Sequence, residues 1–182
     1  MEEAPVGPTS EELAEVVELS QLPLLHEGGV GPWSLGMTPT QVFIQPECKP
    51  FIPLQALNGI ECPNFETPLG TRTITFLFAE DSLSKVQVTI FEGEAVDAWA
   101  AETARAVEEL GELYEMELAT LEESLRGGGE ALSSWLVEEV SGGLPVALSI
   151  PIEVGVAGKV WLSSVFNPRG GGQGMVYLYL SE

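Results

Sequence analysis

The chain has 182 residues, of which 28 are acidic and 7 are basic, so its formal net charge is −21. This charge excludes nucleic-acid binders that contact phosphates with Lys and Arg, and 45% apolar residues exclude an acidic disordered tail. The only histidine is His26, which excludes chemistry that needs several imidazoles. We expect one domain, residues 1–182, with two sub-lobes, 1–93 and 94–182, as the alternative.

The N-terminal segment is strongly acidic. Residues 1–27 contain seven glutamates and no basic residue. Thr9-Ser10-Glu11-Glu12 has the capping-box pattern, which predicts a helix over residues 10–20 that ends before Pro23. The segment has neither the basic start nor the apolar stretch of a signal peptide, so we expect a cytoplasmic protein. No apolar run approaches the roughly 20 residues of a membrane span, so we expect no membrane contact.

A glycine-rich segment, residues 28–37, leads into a short helix. Thr38 suits the N-cap, Pro39 the first helical position and Gln41 the third position of a capping box. Pro46 keeps this helix short, and the five prolines of residues 46–70 predict an extended loop with at most a short edge strand.

The two cysteines, Cys48 and Cys62, lie within this proline-rich loop. In a cytosolic chain we expect reduced, partly buried thiols. A disulfide would instead close a loop that is worth roughly 3 kcal/mol in the chain-entropy model, so pairing stays open. A zinc site is not expected, because the chain has neither a C-x-x-C motif nor a second histidine.

The next two segments predict a hairpin. Residues 71–79 and 85–91 alternate apolar with polar side chains, and residues 80–84 supply the loop. The inward side chains are then Ile74, Phe76, Phe78, Val86, Val88 and Ile90.

The strongest helical periodicity covers residues 95–126, in which apolar side chains recur every three or four positions. One unbroken helix would be about 48 Å long, so we expect a kink at Gly111. The glycines at 127–129 end it, and a shorter helix follows at 130–140.

Three strands, 145–153, 159–166 and 174–181, complete the chain as an antiparallel meander. The fold class is therefore α+β: an antiparallel sheet, made of the hairpin and the C-terminal meander, packed against one long or kinked helix and shorter helices.

Part of the chain resembles a known group of bacterial modules. The stretch Gly29-Val30-Gly31-Pro32-Trp33-Ser34-Leu35-Gly36-Met37-Thr38, followed by Val42 and by strands at 74–81 and 85–88, is similar to modules with the fold of the β-lactamase inhibitor protein and of the SmpA-type outer-membrane assembly lipoprotein. The resemblance covers about residues 27–93. Many such modules are non-enzymatic binders, including inhibitors and immunity proteins, so the resemblance implies a binding rather than a catalytic role.

The acidic residues are concentrated in the central segment. Residues 94–139 contain thirteen acids against Arg105 and Arg126, whereas residues 140–182 are neutral. An acidic surface attracts basic proteins and speeds their association. We therefore predict a non-catalytic acidic module, an inhibitor or immunity protein for a basic toxin or enzyme, with no catalytic residue, metal or cofactor. The predicted partner-binding residues are Glu108, Glu109, Glu112 and Glu115.

Two other function classes stay open. In the first, the chain is a small enzyme or ligand-binding domain with an apolar pocket between the sheet and the long helix, lined by Phe76, Trp99, Trp135 and Tyr177. In the second, it is a self-associating protein, whose contact would use the neutral sheet of 140–182 because like charges oppose other contacts. His26 lies in an expected surface loop and the chain has no G-x-S-x-G motif, so a Ser–His–Asp site is not expected. The oligomeric state is not determined by the sequence.

Overall fold

The computed structural model describes residues 24–48, 50–118, 121, 127–155, 159–169 and 171–181. It combines helices with antiparallel sheets, so the α+β class is confirmed. The elements are β1 (Leu25–His26), β2 (Gly29–Val30), β3 (Trp33–Ser34), α1 (Pro39–Phe43), β4 (Ile52–Leu54), a 3-10 turn (Gln55–Leu57), β5 (Gly59–Thr67), β6 (Gly70–Ala79), β7 (Ser82–Gly93), α2 (Val96–Leu113), β8 (Glu115–Met116), α3 (Gly128–Ser141), β9 (Val146–Glu153), β10 (Lys159–Asn167) and β11 (Gln173–Ser181).

Eight strands form one sheet in the order β4-β5-β6-β7-β11-β10-β9-β8, and every neighbouring pair is antiparallel. The predicted hairpin and meander are therefore parts of the same sheet. The pairing of β7 with β11, from Gly93 opposite Gly174 to Lys85 opposite Ser181, joins them.

The glycine-rich segment forms a second, three-stranded sheet, β1-β2-β3, which the sequence did not predict. Its Trp33 is fully buried. The indole ring packs edge-on against Phe65 and Phe76, with ring centroids 5.0 and 4.8 Å apart. This unit therefore packs onto the same core as the large sheet.

The predicted cap of the short helix is confirmed. The Thr38 hydroxyl accepts a hydrogen bond from the Gln41 N–H, and the Gln41 carboxamide oxygen accepts one from the Thr38 N–H. Helix α1 ends at Phe43, before Pro46.

The prediction of a loop over residues 46–70 is mostly wrong. Only β4 is a short edge strand, whereas β5 is nine residues long and pairs with β6. The register shifts between Cys62 and Phe65, so Pro63 lies at an irregularity where a missing N–H is tolerated. The prolines led to the loop prediction because a proline cannot donate a hydrogen bond to a neighbouring strand. At Pro63 the bulge removes the need for that hydrogen bond, so the strand continues through it.

The expectation of reduced cysteines is also wrong. Cys48 and Cys62 form a disulfide, with their Cα atoms 5.7 Å apart, and both residues are buried. The bond fixes the segment after α1 to β5.

The predicted hairpin is confirmed with a tighter turn. Only Glu80 and Asp81 connect the strands, with φ of 50° and 63°. Two consecutive positive φ values are typical of the two-residue hairpin turn whose twist matches the strands. Residues 82–84, expected as loop, belong to β7.

The long central helix is shorter than predicted, because α2 ends at Leu113 and Tyr114 is already extended. Gly111 lies within α2, so the chain leaves the helix after it rather than kinking there. The triple glycine begins α3 instead of ending α2. The helix predicted at 130–140 is α3, and it is confirmed, as are the three C-terminal strands. The boundaries of all four elements agree with the prediction within two residues.

One face of the large sheet carries the core, and α2 packs on it over β7, β11 and β10. Trp99 and Phe166 are fully buried in this layer, with ring centroids 5.2 Å apart. The Thr103 hydroxyl lies 2.7 Å from the Ser164 hydroxyl and donates to the Trp99 carbonyl. The opposite face carries Trp161, Tyr177 and Tyr179.

The described helices include none with the length and apolar character that a membrane crossing requires. The helix predicted over residues 10–20 lies outside the described residues.

Candidate functional site

The last turn of α2 and the residues that follow it form the candidate site. Tyr114 leaves the helix with φ of −138° and ψ of 155°. Its hydroxyl accepts a hydrogen bond from the Leu25 N–H at 3.0 Å, and burial raises the pKa of the phenol above 10.0. The chain then forms β8, in which Glu115 is opposite Glu153 of β9. This turn of the backbone brings helix and strand carboxylates to one edge of the sheet.

Two adjoining cavities lie here, with volumes of about 540 and 590 Å³. They share Gly111 and Leu118, and we call them together the acidic groove. Apolar atoms of Val107, Leu118 and Met116 line part of it. The full lining is Arg105, Val107, Glu108, Glu109, Gly111, Glu112, Tyr114, Glu115, Met116, Glu117, Leu118, Gly128, Gly129 and Glu153.

Four carboxylates of the acidic groove are exposed and make neither an ion pair nor a side-chain hydrogen bond with the described residues. They are Glu112, Glu115, Glu117 and Glu153. Carboxylates grouped around one cleft contribute to a negative potential at the groove.

Glu108, a predicted partner-binding residue, makes a structural contact. Its carboxylate accepts a hydrogen bond of 2.6 Å from the Gly129 N–H at the start of α3, a helix that has no side-chain cap of its own. A Cβ atom at residue 129 would lie 2.6 Å from the Glu108 carboxylate carbon. Glycine at 129 therefore allows a carboxylate from α2 to cap the positive end of α3.

Glu109, also predicted to bind the partner, is paired within the helix. Arg105 donates to Glu109 at 3.2 Å and to Glu102 one turn earlier. The hydrogen bond that Arg105 donates to Glu102 is the main cause that raises the pKa of Arg105 above its usual value. Arg72 of β6 lies 3.7 Å from the same Glu102 carboxylate. Because Arg105 partly neutralises Glu109, this carboxylate should attract a basic partner less strongly than Glu112 or Glu115.

The four aromatic residues predicted to line a ligand pocket are not brought together. Phe76 and Trp99 are fully buried in the core, Trp135 is half-buried on α3, and Tyr177 lies on the opposite sheet face. None of the four lines the acidic groove. Their contacts are those of packing side chains.

The histidine has a local structural contact, since its Nε2 donates to the Gly31 carbonyl at 2.8 Å. No group of three or more His, Cys, Asp and Glu side chains arranged to hold a metal ion occurs in the part of the chain that the structure describes.

Glu117 and Glu153 were not among the residues predicted to bind a partner. Glu153 follows a long uncharged stretch, 140–152, and a lone acid at the end of such a strand was the available signal. Glu153 lies beside Glu115 because β8 pairs with β9. The sequence did not predict β8, because the helical periodicity continues through its residues. Glu122 and Glu123, which extend the acidic run in the sequence, lie outside the described residues.

Comparison with protein-family models, curated proteins and solved structures finds no match for this chain.

Proposed function

We propose that this protein is a non-catalytic binding module that holds a basic partner protein in the acidic groove. The observation that carries the proposal is the set of four exposed carboxylates around a partly apolar cleft, none of which pairs with a basic side chain among the described residues. A segment that alternates Lys or Arg with apolar side chains has the complementary chemistry, because its charges meet the rim and its apolar groups meet Met116 and Leu118.

The charge of the whole molecule supports the same partner class. A net charge of −21 attracts a basic protein over several ångströms and repels acidic competitors. An inhibitor or immunity protein for a basic toxin, such as a nuclease, has this requirement, since the acidic surface would occupy the place of nucleic-acid phosphates. The resemblance of residues 27–93 to binding modules implies the same role.

Two of the four predicted interface residues make contacts within the fold, so we move the proposed contact away from them. Glu112 and Glu115 stay in the proposed contact, and Glu117 and Glu153 join them. Glu108 and Glu109 contribute to the fold, through the α3 cap and the Arg105 pair. The partner contact is therefore centred on the end of α2 and β8 rather than on the middle of the helix.

The test compares two variants with the same change in charge. The first replaces the groove carboxylates by Glu112→Gln, Glu115→Gln, Glu117→Gln and Glu153→Gln. The control replaces four exposed acids without side-chain hydrogen bonds, Glu47, Glu94, Glu138 and Glu139, by glutamine. The probes are a labelled peptide of alternating Lys and Leu and a basic nuclease.

We expect the groove variant to weaken binding by about tenfold or more, equivalent to about 1.4 kcal/mol, and the control to weaken it by less than about threefold. Binding of the unmodified chain should also weaken as salt rises from about 0.05 to 0.5 M. Equal effects of the two variants would contradict the groove as the binding site.

We retain cytoplasmic localisation only as a prediction. The Cys48–Cys62 disulfide bears against it, because disulfides persist mainly in oxidising compartments. Alkylating free thiols in intact cells before a non-reducing gel would separate the two cases: a protein with both cysteines alkylated would favour the cytoplasm.

A further inference from the structure

Among the described residues, the edge of the large sheet at β9 is paired only at its C-terminal end. Strand β8 covers only Ile152 and Glu153, and the Glu117 N–H adds one bond to the Pro151 carbonyl at 3.1 Å. Within the described residues, no strand pairs with the outer side of 146–150. An uncovered edge offers its N–H and C=O groups to another strand.

The backbone groups that face outward can be assigned from this contact. The Pro151 carbonyl points away from β10, because it accepts from the Glu117 N–H. In an antiparallel strand without a register shift, the N–H and C=O groups of successive residues point alternately to the two neighbouring strands. Ala147 and Ser149 therefore also direct their N–H and C=O groups outward. Both residues are exposed.

The sequence of this edge is symmetric in its chemistry about Leu148. Small residues, Ala147 and Ser149, flank it. Branched apolar residues, Val146 and Ile150, follow on either side. Prolines stand three positions away at both ends, so the chain reads Pro145-Val146-Ala147-Leu148-Ser149-Ile150-Pro151. When two copies of a strand pair antiparallel around a two-fold axis, residues equally far from the axis on either side lie opposite each other. In this strand those residues are of the same chemical kind.

We infer that β9 is a self-association edge, and that its occupant is β9 of a second copy of this chain, paired antiparallel with Leu148 on the two-fold axis. Ala147 of each copy lies opposite Ser149 of the other, and these pairs form about four hydrogen bonds. The prolines at both ends donate none, which limits the pairing to this window.

The window itself contains no charge. Residues 140–152 have no charged side chain, so pairing of 146–150 brings no like charges of the two copies opposite each other. The repulsion comes from Glu115, Glu117 and Glu153, which border the window at the Pro151 end. The exposed Leu144, with 63% of its surface accessible, lies beside the window and adds apolar area. The remaining repulsion between the copies is screened by salt, so self-association strengthens as salt rises, which is opposite to binding of a basic partner.

Sedimentation equilibrium of the full chain between about 10 μM and 1 mM tests the inference. We expect the average mass to rise from 19.5 kDa toward twice that value, and to rise further in about 0.5 M salt. Ala147→Pro removes an outward N–H and should keep the protein monomeric. A single mass of 19.5 kDa at every concentration and salt level would overturn the inference.

Two further pairs of variants keep the inference decidable if Ala147→Pro does not fold. Ser149→Lys should abolish the dimer, whereas Ser181→Lys, on the central strand β11, should not; the reverse result would place the contact elsewhere and overturn the inference. Leu148→Cys should form a disulfide-linked dimer under mild oxidation, because residues opposite each other at a non-hydrogen-bonded position have Cα atoms about 4.5 Å apart. Ser181→Cys is the control, and equal cross-linking of both would also overturn it.

Discussion

The first three turns of α2 and its last turn differ in what their side chains contact. Along the first turns, Trp99 and Thr103 are fully buried, and Arg105 is held between Glu102 and Glu109. At the last turn, Glu112 is exposed and the chain opens into the acidic groove. The same amphipathic helix thus contributes buried core side chains at one end and exposed charge at the other. This difference is the reason for placing the proposed interaction surface at the last turn. A carboxylate that already pairs with an arginine of the same fold attracts a basic partner less strongly than an exposed carboxylate does.

The largest effect is expected at the buried end. Trp99→Ala should lower the free energy of unfolding by about 3–5 kcal/mol, because a large buried ring would be lost. Trp99→Phe is the matched control. It should be milder, because the indole Nε1 has no hydrogen-bond partner among the described residues and the substitution removes it. Urea unfolding measures both, and a loss below 1 kcal/mol for Trp99→Ala would show that this end is not packed as described.

The buried hydroxyl pair sharpens the same contrast. Thr103→Val should cost about 1–3 kcal/mol, because the Ser164 hydroxyl would keep no partner in the core. The double variant with Ser164→Ala removes both polar groups and should be more stable than the sum of the single effects predicts. A double-mutant cycle measures this coupling, and strict additivity would mean that the two hydroxyls do not interact.

The hydrogen bond of Tyr114, at the end of α2, should contribute less to the free energy of unfolding than these buried groups. Tyr114→Phe removes the acceptor for the Leu25 N–H and should cost about 1 kcal/mol. Because burial raises the pKa of Tyr114, the folded state holds the phenol proton more tightly than the unfolded state. Its contribution is therefore present below pH 10 and is lost as the pH rises through the folded-state pKa. Melting curves between pH 8 and about pH 11 should show a steeper alkaline loss in the unmodified chain than in the Phe variant, and identical slopes would contradict this role.

Local patterns predicted much of the fold. The α1 cap, the β6–β7 hairpin and the C-terminal strands each follow from residues close together in the chain. The errors arose where distant contacts decide the structure. β5 is a strand despite Pro63 because β6 pairs with it on both sides of the bulge. Helical periodicity continues past Leu113, yet the chain leaves the helix because β8 pairs with β9.

The candidate site shows the same limit. The sequence placed acidic residues on α2, and Glu112 and Glu115 are exposed there. It could not separate them from Glu108, whose role depends on Gly129, 21 positions away. A helix that begins on three glycines without a Ser, Thr, Asp or Asn cap needs an acceptor from another element, and this was the available signal.

Two double variants with equal change in charge test the central claim most directly. Glu112→Gln with Glu115→Gln should weaken binding of the basic peptide by about fivefold and leave the melting temperature unchanged. Glu108→Gln with Glu109→Gln should lower the melting temperature by about 2–4 °C, through the weakened α3 cap, and change binding by less than about twofold. If instead the Glu108 and Glu109 pair weakens binding as much as the other pair, at an unchanged melting temperature, the division between structural and partner-binding carboxylates is wrong.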